Sequence, residues 1–169
     1  MEDAKVVSEG LRKAIQAERE GHSFYLMAAN ATQDARGKEV FTQLAQEELD
    51  HMEFLTRQYN SILKTGQVDT AAKLGPRAEL PASSPIFTDG LKTRIKNAHF
   101  EMSALSIGVQ LELDAMKFYK SQAETASDPE VKRFFGALAE WESGHYHALL
   151  SQQEELRQDY WSANGFTAF

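Results

Sequence analysis

The sequence predicts an all-α protein, a four-helix bundle made of two duplicated helical hairpins joined by a long crossover connection. Three observations predict it. Apolar residues recur at helical spacing through four long segments, and no segment alternates with period two for long enough to be a convincing strand. The second half repeats the first at an offset of 145 − 51 = 94 residues. Between the halves lies a stretch holding three of the four prolines, long enough to travel back along a helix.

The elements follow in order. The first helix is expected over about 8–33, with Leu11, Ile15, Met27 and Ala28 at helical spacing, Phe24 and Tyr25 between them, and Ser8 as N-cap. Residues 30–34 are polar and short, and Asp34 caps a second helix over about 35–64. Val40, Phe41, Leu44, Leu55 and Ile62 form its apolar side, and Gly66 closes it. The crossover covers about 66–102, with Pro76, Pro81 and Pro85 and a short amphipathic piece at Leu91, Ile95 and Ala98. A third helix over about 103–126 ends before Asp128-Pro129, which places an N-cap and a first-turn proline at the start of the fourth. That helix runs to about 156. The tail, about 157–169, carries Tyr160, Trp161, Phe166 and Phe169 and is expected to pack on the bundle or on a partner chain.

Short loops make the helices of each hairpin antiparallel. The second helix is about 43 Å long at about 1.5 Å per residue. The connection can return along it at up to ~3.3 Å per residue, so the third helix starts at the same end as the second. At this length, residues 1–169 are expected to form one domain.

Composition narrows the function. A net charge of −7, without a basic run, argues against nucleic acid or an anionic membrane as partner. The absence of cysteine excludes disulfides, thiolate zinc sites, a cysteine nucleophile and iron–sulfur or rubredoxin-type centres within this chain. The charged start Met1-Glu2-Asp3-Ala4-Lys5 lacks an apolar signal region, and no apolar run approaches the ~18 residues of a membrane span. A cytoplasmic location is the expectation.

The repeat carries the chemistry. Aligning 15–55 with 109–149 without a gap gives 13 identities in 41 positions, with caps, core residues and polar residues all in phase. Two matched sets of metal-type side chains result: Glu18, Glu48 and His51, and Glu112, Glu142 and His145. On a helix, residues i and i+3 share a face, so each Glu-x-x-His can grip one ion while the lone glutamates add a carboxylate each. Four carboxylates and two imidazoles suit two iron ions, or manganese or a mixed pair, better than a thiophilic metal.

A single Glu-x-x-His is commonly a solvated pair, but here the acids fall within the apolar stripe. Glu48 lies four residues from Leu44 and seven from Leu55, and Leu138, Glu142 and Leu149 repeat that relation. Buried there without cations, four carboxylates would repel one another and could not all stay ionised. Gly21 and Ala115, three past the lone glutamates, leave room for ions and an exogenous ligand. Tyr25 and Tyr119, two turns along, are placed to hydrogen-bond ligating carboxylates. His22, one turn past Glu18, is the further histidine that can line the site; His147 points away and His99 falls in the crossover.

Glu18…Phe24-Tyr25, Glu48-x-x-His51, Glu112…Phe118-Tyr119 and Glu142-x-x-His145 together resemble the rubrerythrin branch of the ferritin-like di-iron carboxylate superfamily, over nearly the whole chain. The resemblance implies a non-haem di-iron centre on the six residues named, with Tyr25 and Tyr119 supporting them and no separate catalytic residue. It also implies peroxide or dioxygen chemistry of the kind used against oxidative stress, an external electron donor such as a rubredoxin-like protein, and a homodimer or larger homo-oligomer. Two departures stand out. Full-length rubrerythrins carry a rubredoxin domain with iron on four cysteines, and this chain has no cysteine. They also have an additional glutamate three past the third-helix ligand, where this chain has Ala115. Competing readings are iron oxidation with storage or detoxification, a substrate oxygenase, and a helical interaction module with a structural metal pair.

Overall fold

The computed structural model describes residues 2–75, 80 and 85–166; Pro76, Pro81 and Phe169 lie outside them. Five α-helices are present among the described residues: α1 (Glu2–Ala31), α2 (Ala35–Thr65), α3 (Asp89–Thr93), α4 (His99–Thr125) and α5 (Pro129–Ala163). A 3-10 turn, Ile95–Asn97, links α3 to α4, and there is no strand among the described residues. α1 packs along α2 and α4 along α5, so the all-α bundle of two hairpins with a long crossover is what the chain forms.

Local chemistry fixes the corners. Asp34 accepts from the Gly37 N–H at 2.9 Å as N-cap of α2, and Asp128 accepts from the Glu130 N–H at 2.7 Å as N-cap of α5. Gly66 takes φ 73°, a left-handed conformation that a glycine adopts without strain, and its N–H donates to the Ile62 carbonyl. Asp34 also accepts from the Thr88 N–H, tying the crossover to the α1–α2 corner.

A second pair of buried residues in the 94-residue register (152 − 58 = 94) does similar work. Gln58 exchanges two hydrogen bonds with the Asp69 backbone, and Gln152 accepts from the Ile86 N–H at 2.6 Å. Each amide holds one stretch of the connecting chain against its own helix.

Several helix ends differ from the sequence expectation. α1 extends back to Glu2, so Ser8 is interior and its hydroxyl donates to the Lys5 carbonyl. A serine in mid-helix can satisfy itself on the preceding turn in this way, so its cap-forming chemistry does not mark a start. α4 begins at His99 rather than 103, because buried Ala98, Met102 and Leu105 continue the apolar stripe of the short amphipathic piece into the helix. His99 therefore opens α4 instead of lying in the crossover, with its Nδ1 2.6 Å from the Tyr160 hydroxyl.

α5 runs to Ala163, beyond 156, since no glycine or proline lies between Leu156 and Ala163 and Tyr160 packs one turn past buried Leu156. The aromatic tail divides accordingly. Tyr160 joins the core, Trp161 is partly exposed with the Arg157 guanidinium 5.5 Å from its ring, and Phe166 is exposed.

The core lies in two clusters, one toward each end of the bundle. One gathers Tyr25, Phe41, Leu44, Leu105 and Leu149; the other gathers Leu11, Leu55, Tyr119, Phe135 and Leu138. On every long helix the residues between the clusters are polar and buried: Glu18 on α1, Glu48 and His51 on α2, Glu112 on α4, Glu142 and His145 on α5. Apolar packing at both ends thus clamps a polar layer in the middle.

A methyl group added at Gly37 would lie 2.6 Å from the Phe87 ring, which the crossover presses onto the start of α2. Gly37→Ala gains about 1 kcal/mol of helix propensity but incurs an overpacking cost of about 1–3 kcal/mol. A net loss of stability is expected in denaturant unfolding; a variant more stable than the parent would show that Phe87 moves aside freely.

Candidate metal centre

The polar residues of the middle layer come from four helices, yet their ligand atoms converge. His51 Nδ1 lies 3.2 Å from Glu142, 3.4 Å from Glu18 and 3.5 Å from Glu48. His145 Nδ1 lies 3.3 Å from Glu142 and 3.6 Å from Glu112. Two groups of ligand atoms, each within 4.8 Å of one another, result: Glu18, Glu48, His51 and Glu142, and Glu48, Glu112, Glu142 and His145. The structure thus brings together all six sequence-predicted ligands. It also makes Glu48 and Glu142 members of both groups, which a division by hairpin does not anticipate.

The six are buried, each 4% exposed or less. Both nitrogens of His51, Nδ1 of His145 and both carboxylate oxygens of Glu142 make no hydrogen bond among the described residues. Buried polar atoms are rarely left so, because each unsatisfied group costs on the order of 1–3 kcal/mol, more when charged. Apart from His51 Nε2, on the far side of its ring, the unsatisfied atoms face one another around a common space, which is what a bound cation requires. All are oxygen or imidazole nitrogen, so the donor set fits iron or manganese.

The protonation pattern reports the same crowding. Burial pushes the Glu112 carboxyl up to about 8, with Glu142 adding to the rise and His145 opposing it. Burial, then repulsion from Glu142 and Glu18, holds Glu48 well above the usual carboxylate range. Glu142 goes the other way: burial works against its charge, but neighbouring His51 and His145 outweigh that and hold it well below the usual range. Burial likewise works against charge on the histidines, yet Glu142 beside His51 and Glu112 beside His145 raise both rings well above their ordinary 6.5. The metal-free cluster therefore retains protons that limit the repulsion among its acids, a role a dication would take over.

The tyrosines cross between hairpins. Tyr25 on α1 donates to Glu112 on α4, and Tyr119 on α4 donates to Glu18 on α1. Helical side chains lean toward the N-terminus of their own helix, which brings each ring back to the level of the polar layer and across to the facing helix. Burial and the adjacent carboxylates raise both phenols well above 10, so they are neutral donors.

Gly21 and Ala115 line a cavity of about 340 Å³ that reaches Glu18, Glu48, Glu112 and Glu142. Its rim includes exposed Lys13, Glu20 and Asp114, so it opens between α1 and α4. A Cβ at Gly21 would sit 3.4 Å from the Glu48 side chain, so the glycine keeps this wall thin. His22, expected to line the site, instead has its Nδ1 2.6 Å from the Ala45 carbonyl oxygen and engages the α2 backbone. His147 is exposed.

Sequence reasoning missed Glu47. It is buried and lies 2.9 Å from His145 Nε2, on the side of the ring away from the cluster. Its counterpart in the repeat is Trp141 (141 − 47 = 94), whose ring packs at a tilt against His51 with ring centroids 4.9 Å apart. The sequence carried little signal for it, since the repeat also changes residue type at 49/143, 50/144 and 52/146, beside the same motifs.

A family model described as Rubrerythrin matches residues 9–151 and, in a second match, residues 103–164. No curated protein and no solved structure matches the chain. Among the described residues, no helix is long and apolar enough to cross a membrane.

Proposed function

The chain belongs to the rubrerythrin family, and from that premise we propose that it is a cytoplasmic non-haem di-iron oxidoreductase that reduces hydrogen peroxide or reacts with dioxygen. The observation that carries the reading is the set of unsatisfied donors on His51, His145 and Glu142 at the centre of the bundle. Glu18, Glu48 and His51 would hold one ion and Glu112, Glu142 and His145 the other, with Glu48 and Glu142 within reach of both. A bound ferrous pair would supply the two electrons that, with two protons, take one peroxide to two waters, and an external donor, such as a rubredoxin-like protein, would supply the electrons for the next turnover.

The chain's own residues shape the reaction space. Tyr25 and Tyr119 orient Glu112 and Glu18 by donating to them, and as neutral phenols they add no charge to the layer. Leu111, Phe118 and Ala115 form an apolar wall beside the carboxylates that limits bulk water, while Gly21 keeps room for a small oxidant. A homodimer or larger homo-oligomer is part of the proposal.

The test is a stopped-flow reaction of the anaerobic ferrous protein with stoichiometric peroxide. We expect two irons oxidised per peroxide, at a rate well above that of free ferrous iron; an equal rate would refute the proposal.

Iron oxidation coupled to storage or detoxification is the second reading, favoured by a specific feature of the cavity mouth. Glu20 and Asp114, equivalent in the repeat (114 − 20 = 94), both line the rim and would draw cations in, although Lys13 shares it. That reading requires uptake far beyond two irons per chain and a cage-sized mass in light scattering.

A further inference from the structure

The duplicated hairpins give the two halves of the centre the same inward-facing chemistry and different backing. Behind His145, the Glu47 carboxylate lies 2.9 Å from Nε2. Behind His51, the equivalent position holds Trp141, and His51 Nε2 is buried without a hydrogen bond. Both Nδ1 atoms face the carboxylates of the middle layer, so Nε2 is in each case the nitrogen left to be held from outside.

The difference matters because an imidazole ligand must present a lone pair on the metal-facing nitrogen. A carboxylate accepting from the far N–H fixes that tautomer, fixes the ring's orientation and strengthens the ligand. Glu47, 2.9 Å from Nε2, is placed to do all three for His145. Trp141 packs on the His51 ring from the side at an interplanar angle of 55° and fixes neither tautomer nor basicity.

We propose that Glu47 is a positioning residue that makes the two metal positions inequivalent, the His145 position binding more tightly and filling first. The inference rests on the metal-centre reading above. It concerns the order of loading, which the symmetric ligand set alone leaves degenerate.

Titration of the metal-free protein with Mn(II), followed by electron paramagnetic resonance, tests it. With one equivalent the parent should show mainly an isolated bound Mn(II), and a spin-coupled pair should grow in only with the second. Glu47→Gln should weaken the first step by about 10–100-fold, the range typical of outer partners of a histidine ligand, and leave the second nearly unchanged. Glu47→Asp, which keeps the charge, should restore part of the loss; a purely structural role would not sort the variants by charge.

Independently of any Glu47 variant, His51→Ala should retain the tight first step and His145→Ala should lose it. The proposal is overturned if Glu47→Gln leaves the first step within about twofold or weakens both steps alike, against the expected range. Loss of the tight step in His51→Ala would overturn it equally. Failure of the parent to retain any Mn(II) would instead overturn the metal-centre reading on which it rests.

Discussion

Glu142→Ala is expected to empty both metal positions at once. Its two carboxylate oxygens face opposite ways, one 3.2 Å from His51 and the other 3.3 Å from His145, and it belongs to both ligand groups. Glu18 and Glu112 each belong to one group, so replacing either should spare the other position. Metal content after anaerobic loading and gel filtration should fall from two ions per chain to near none in Glu142→Ala, and to about one in Glu18→Ala or Glu112→Ala. Ferrous oxidation by peroxide should fall by more than the roughly 100-fold that an outer partner of a ligand can carry. Glu142→Gln keeps the volume and tests whether the loss is chemical; retention of two ions by either Glu142 variant would remove this residue from the shared position.

Metal loading should raise thermal stability, and more so as pH rises. Glu112 has a folded-state value of about 8 against an ordinary 4.5. Between those values the folded metal-free chain holds a proton that the unfolded chain has released. The stability this contributes is complete below about 4.5 and is lost as pH climbs to about 8. Glu48, His51 and His145 are shifted upward as well and act in the same direction. Glu142 is shifted down, so its contribution is lost only in acid, as pH falls below its ordinary 4.5.

A divalent cation competes with those protons, so its binding strengthens over the range in which the metal-free protein weakens. At a free metal concentration about a hundred times the dissociation constant, one ion contributes about 2.7 kcal/mol. For a chain of this size that is about 5–10 °C in melting temperature per ion. Scanning calorimetry from pH 5 to pH 9 should show the gap between loaded and metal-free protein widening up to about pH 8 and then levelling, following Glu112. A gap that narrows with rising pH would mean that the layer is not a proton-holding acid cluster.

Helical periodicity made much of this legible in advance. Glu18, Glu48, His51, Glu112, Glu142 and His145 could be picked out because they recur in two matched sets at one offset, with Glu48 and Glu142 in the apolar phase of their helices, and both repeat and phase are properties of spacing along the chain. The caps at Asp34, Gly66 and Asp128 were legible for the same reason, since a cap involves only the next few residues. Helix ends failed where the signal was ambiguous locally. Ser8 satisfied itself inside α1, and α5 ran on through Tyr160 because that ring found the core and His99 across the bundle.

The sequence by itself determined the all-α hairpin repeat, the donor types and their common level along four helices, because these follow from spacing along one chain axis. Only the tertiary structure decided which donors meet. It put Glu48 and Glu142 in both groups, crossed Tyr25 to Glu112 and Tyr119 to Glu18, and set Glu47 behind His145 while Trp141 lies against His51. Those relations depend on how four helices rotate and rise against one another. Packing of the two apolar clusters sets that rotation, and no spacing within a single helix encodes it.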